Sequence, residues 1–63
     1  MCMPSVWIKD DAGEEQIFAD TAILRVEDGT VVLSTLFGER KVVRAVIEKI
    51  DFMNARVVLT RES

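Results

Sequence analysis

Histidine and tyrosine are absent from this chain, and cysteine, proline and tryptophan occur once each. Without an imidazole the commonest general base near neutral pH is missing, and no Ser-His-Asp or Cys-His arrangement can be assembled. A lone cysteine, Cys2, excludes a disulfide within the chain and fits a reducing compartment. The three glycines, at 13, 29 and 38, are isolated, so they build neither a phosphate-cradling loop nor a dinucleotide fingerprint. No apolar run approaches the roughly 20 residues that span a bilayer. The start MCMPSVWIKDD has no basic stretch followed by a long apolar core. The expectation is a cytoplasmic protein with no membrane partner, and not an enzyme.

What the chain does contain is β-branched and apolar. Hydrophobic residues make up 49% of its 63 positions, too many for disorder. A single domain over residues 1–63 is expected, of a size that buries only about 60% of its unfolded surface, so its stability is marginal unless a partner or metal assists. Short runs such as Val6 to Ile8, Ile23 to Val26, Val31 to Leu33 and Val57 to Leu59 suit a pleated, half-buried surface. Residues 10–13, Asp28-Gly29 and Met53-Asn54 supply turn chemistry between them.

The pattern predicts an all-β fold, a small five-stranded SH3-like or Sm-like barrel. Its strands are placed near residues 2–9, 15–27, 30–36, 40–51 and 55–61, because closure removes the edges of an open meander. The expected core is Val6, Ile8, Leu24, Val26, Val31, Leu33, Val57 and Leu59. A helix over 39–50 competes, since Glu39, Val42, Val43, Val46, Ile47 and Ile50 have helical spacing, but their β-branching favours a long, bent strand. Pro4 lacks an N–H, which puts the first strand at an edge or near a bulge. Trp7 reads as the cover of one barrel end, with a subunit contact as the other reading. In the fourth strand Val43, Ala45 and Ile47 share one face and Val42, Val46 and Ile50 the other. The second face therefore lies under a bend or meets another subunit, and a homodimer is expected.

Charge argues against a polyanionic partner. Eight basic and eleven acidic residues leave a net −3, which repels nucleic acid at long range. The distribution is uneven: residues 1–29 carry two basic and seven acidic side chains, whereas 38–61 carry six basic and three acidic. Arg40, Lys41, Arg44 and Arg56 are the candidates for an RNA-binding or protein-interaction surface, set against a reading as solvated faces that balance the acidic half. Asp10, Asp11, Glu14 and Glu15 read as a solvated hairpin tip, with a hard-cation site as the alternative.

Cys2 has the most chemistry open to it. If the initiator methionine is removed, its α-amine, its thiolate and a neighbouring backbone nitrogen form a chelate suited to square-planar Ni(II) or Cu(II). A two-fold axis joining two N-termini would share one metal per dimer. The competing reading is an inert terminal residue or a small core hydrophobe.

The opening Met1-Cys2-Met3, the Val6 strand, the acidic Gly13 turn, Val26-Glu27-Asp28-Gly29 and Thr35-Leu36-Phe37-Gly38-Glu39 resemble the CooT family over essentially the whole chain. The resemblance implies a small dimeric SH3-like barrel that acts as a nickel-binding accessory protein in carbon monoxide dehydrogenase maturation; the family has also been labelled as predicted RNA-binding. It implies Ni(II) as the metal and Cys2 as the ligand, with Met3 contributing a backbone nitrogen. The implied partners are a second copy and a nickel enzyme or another nickel carrier.

Overall fold

The structure is a computed structural model that describes residues 3–61. Six strands follow one another: β1 (Ser5–Asp10), β2 (Gly13–Phe18), β3 (Ile23–Glu27), β4 (Thr30–Ser34), β5 (Arg40–Asp51) and β6 (Arg56–Arg61). They form one sheet in the order β2-β1-β6-β5-β4-β3. All neighbours run antiparallel except β1 and β6, which are parallel.

The all-β composition is as expected, but the five-stranded barrel is not found. The sheet is open, and β2 and β3 are its two free edges. The single strand expected over 15–27 is interrupted at Ala19–Ala22, where Asp20 adopts a left-handed φ of 56° and the chain crosses from one edge to the other. β2 then pairs with β1 while β3 pairs with β4, so no ladder joins the two edges. Charged side chains on both edges, Glu14 and Glu15 on β2 and Arg25 and Glu27 on β3, oppose edge-to-edge association.

The 39–50 segment is a strand and not a helix. Its first part, Arg40–Arg44, pairs with β4, and Ala45–Asp51 pairs with β6. By belonging to both ladders, β5 brings the inner face of β4 against those of β1 and β6. The core is built there from Val6, Ile8, Val31, Leu33, Val43, Ala45, Val57 and Leu59. Two expected core members differ: Leu24 only packs against this cluster, and Val26 is 55% exposed because β3, an edge, has no partner beyond it. Turn chemistry is as anticipated at Asp28-Gly29, where both residues take positive φ (48° and 76°), the geometry of a tight hairpin.

A bulge in β5 between Ile47 and Lys49 corrects a further expectation. Strict alternation puts Val42, Val46 and Ile50 on one face. The extra residue, Glu48, shifts the phase by one, so Ile50 lies opposite Val57 on the inner side. Pro4 immediately precedes β1, which is an interior strand with a bulge at Val6/Trp7; the bulge, not an edge, accompanies the proline. Trp7 does not cap a barrel end. It lies on the outer face of β1, paired with Val58, and Val58 is 2% exposed although it points away from the main core.

Leu33, which has no exposed surface, is with Leu59 one of the two largest fully buried side chains. Leu33→Ala should cost about 2–5 kcal/mol, enough to unfold most molecules of a domain of this size. Val26→Thr should change stability by about 0.5 kcal/mol or less. Urea unfolding followed by Trp7 fluorescence measures both, and a Leu33→Ala protein as stable as wild type would contradict the packing described.

Candidate functional site

Cys2, the leading candidate from the sequence, lies outside the described residues, so the site is built from the arm that leads to it. Met3 is 39% exposed. Just beyond it the arm is held from two sides: the Thr21 N–H donates to the Pro4 carbonyl (3.1 Å), and the Ser5 N–H donates to the Ala55 carbonyl (2.9 Å). Thr21 belongs to the crossing between the two sheet edges and is only 5% exposed, whereas Ala55 closes the β5–β6 turn at a φ of 53°. An alanine in that conformation is strained, and the hydrogen bond to Ser5 is part of what holds it. Pro4 and Ser5 are thus fixed by two segments distant in sequence.

Beside the arm runs an apolar groove of about 500 Å³, lined by Pro4, Leu24, Ile50, Phe52, Ala55 and Val57 with Asp51 and Arg56. Ile50 reaches it only because of the β5 bulge. Phe52 (87% exposed) lies at its rim and, with Met53 (96% exposed), occupies the turn between β5 and β6. Asp51 shapes that turn. Its Oδ1 accepts from the Met53 and Asn54 N–H groups (both 3.1 Å), and its Oδ2 accepts from the Asn54 side-chain amide (2.9 Å). The Asn54 side-chain bond, then the backbone N–H groups and the Lys49 charge, hold the Asp51 carboxyl below its ordinary pKa.

The basic residues singled out from the sequence are not brought together. Arg40 and Arg44 share the outer face of β5, whereas Lys41, which pairs with Leu33, points to the other side. Arg56 belongs to a separate cluster, with its guanidinium 4.5 Å from the Trp7 ring centroid and 2.6 Å from Glu14 Oε1. A partly exposed cation–π contact and an ion pair of this kind contribute about 0.5–1 kcal/mol each. The sequence reading missed Arg25, which joins Arg40 and Arg44 on one face through strand register and not through any motif. Among the described residues no group of three or more His, Cys, Asp or Glu side chains is placed to hold a metal ion, and no helix is long and apolar enough to cross a membrane.

The described residues thus form a small open sheet whose N-terminal arm, held at Pro4 and Ser5, runs beside an apolar groove. Residues 1–60 match the CO dehydrogenase accessory protein CooT family, and the chain belongs to that family. Its structure is similar to the crystal structure of a protein assigned as CooT from Carboxydothermus hydrogenoformans, with a TM-score of 0.87 and 29% sequence identity, covering 98% of this chain and 100% of that one. No curated protein matches the chain.

The Asp51 turn gives a pH dependence of known sign. A carboxylate with a depressed folded pKa contributes stability that is fully present above its unfolded pKa, near 3.9, and is lost as pH falls through the lower folded value. Exchange of the Met53 and Asn54 amides, corrected for intrinsic rates, should become less protected on acidification from about pH 5 to about pH 2. Asp51→Ala should abolish the protection and its pH dependence; unchanged protection in that variant would show that another group holds the turn.

Proposed function

We propose that this protein carries Ni(II) as cargo for the maturation of carbon monoxide dehydrogenase, binding it in the cytoplasm through the Cys2 thiolates of two copies and releasing it to an acceptor. The observation that carries the reading is the N-terminal arm. With Pro4 and Ser5 held by Thr21 and Ala55, and Met3 exposed, Cys2 is at most two residues, about 7 Å of chain, from a fixed surface point. In this reading an incoming ligand meets the thiolate at the end of the arm, without unfolding of the sheet. Family membership supports the client, and the donor chemistry of thiolate with main-chain nitrogen supports the metal: this soft, strong-field set suits square-planar Ni(II). Met3 supplies a backbone nitrogen in this reading.

The same reading assigns the second copy to the groove of Pro4, Leu24, Ile50 and Val57. It is the apolar surface next to the arm, and in this reading a two-fold contact there would bring the two Cys2 residues together. Val42 and Val46 lie on the outer face and take no part. The RNA-binding alternative gains no support, since Arg40, Lys41, Arg44 and Arg56 form no common surface.

Titration with Ni(II) should give a sulfur-to-nickel charge-transfer band saturating at one metal per two chains, with proton release on binding and weaker binding at low pH. Cys2→Ser should abolish the band and leave the fold intact, and removing Met1 should strengthen binding by freeing an amine. A Cys2→Ser protein that keeps the stoichiometry and the spectrum would overturn the assignment, as would a wild-type protein that stays monomeric in light scattering with nickel present.

A further inference from the structure

The outer faces of β3, β4 and β5 form an array that the nickel reading leaves unused. Register places Ile23, Ser34 and Arg40 side by side, then Arg25, Val32 and Val42, then Glu27, Thr30 and Arg44. Ile23 and Val42 are 56% and 61% exposed. A hollow of about 240 Å³ lies beside Ile23, lined by Ile23, Arg25, Val32, Ser34 and Arg40, so an aliphatic floor is flanked by two guanidinium groups. Arg25 is engaged by Glu27 at 3.2 Å. The other ion pairs among the described residues are Lys9–Glu48 and Arg56–Glu14, so Arg40 and Arg44 enter none.

This face is positive on a protein whose net charge is −3. The acidic residues Asp10, Asp11, Glu14 and Glu15 sit on the β1–β2 hairpin at the opposite edge of the sheet. Guanidinium forks recognise carboxylates in bidentate fashion, and an aliphatic floor between them selects for an apolar side chain bounded by acids. A nucleic-acid strand fits less well: the array contains no aromatic ring for base stacking, and the overall charge repels a polyanion. β3 is also a free sheet edge, with backbone groups open to an extended segment.

We propose that the β3–β4–β5 outer face docks an acidic, aliphatic-containing polypeptide segment of a partner protein, seated on Ile23, Val32 and Val42 and held by Arg40 and Arg44. The surface is separate from the N-terminal arm and its use does not require Cys2.

The probe is a fluorescein-labelled peptide, Glu-Asp-Leu-Glu-Ile-Asp-Glu, followed by fluorescence anisotropy with the full chain. Binding should be measurable at about 50 mM salt and weaken at about 150 mM. Arg40→Gln/Arg44→Gln should weaken it by about tenfold or more, while Lys9→Gln/Lys49→Gln, which removes the same charge elsewhere, should not. Replacing Leu and Ile of the peptide by Ser should also weaken it, and Cys2→Ser should leave it unchanged. Circular dichroism confirms that the variants are folded, as expected at exposed positions. Absence of peptide binding, equal losses in the two double variants, or tighter binding of a seven-nucleotide oligouridylate would overturn the proposal. So would self-association of the wild type that Arg40→Gln/Arg44→Gln disrupts, which would identify the face as a contact between copies.

Discussion

The fold depends on one strand serving two ladders. β5 pairs with β4 along Arg40–Arg44 and with β6 along Ala45–Asp51, and without that division the sheet would be flat and its apolar residues would have nothing to pack against. Bending about β5 puts Val31 and Leu33 opposite Val57 and Leu59, and Val43 and Ala45 between them complete the core. The bulge at Glu48 is the second half of the device. It lets the strand keep both partners while turning Ile50 to the inner side, where, still 47% exposed, it lines the groove.

The groove and the N-terminal arm are linked through the same strand. Asp51 ends β5 and organises the turn that presents Phe52 and Met53; the turn ends in Ala55, whose carbonyl receives the Ser5 N–H. From the other side Thr21 holds Pro4, and Thr21 is placed by the crossing that keeps the sheet from closing. An open sheet therefore does something that a closed barrel would not. The segment that joins β2 to β3 crosses between the sheet edges and clamps the arm at Pro4, while the β5–β6 turn holds Ser5.

Charge is separated across the molecule as well as along the sequence. The acidic β1–β2 hairpin and the arginine-bearing face of β3–β4–β5 occupy opposite edges, so a protein of net negative charge still presents a local cationic surface. The proposed docking face is separate from the N-terminal arm on which the nickel reading rests.

The sequence by itself determined that the chain is all-β, where most of its strands lie, and six of its core residues, because β-branching and period-two alternation are local properties. It also determined the absence of imidazole chemistry, the tight turn at Asp28-Gly29 and the single cysteine at position 2. Only the tertiary structure decided that the sheet stays open, since edge closure depends on where β2 and β3 find partners and not on their own composition. It alone placed Val26 outside the core, Ile50 in the groove and Lys41 on the side opposite Arg40 and Arg44. A one-residue bulge reverses every face downstream of it, and nothing in the local pattern of Val46 to Ile50 announces where the extra residue falls. The recruitment of Thr21, Arg25 and Ala55 has the same cause: each acts on residues that are distant in the chain, and only register brings them together.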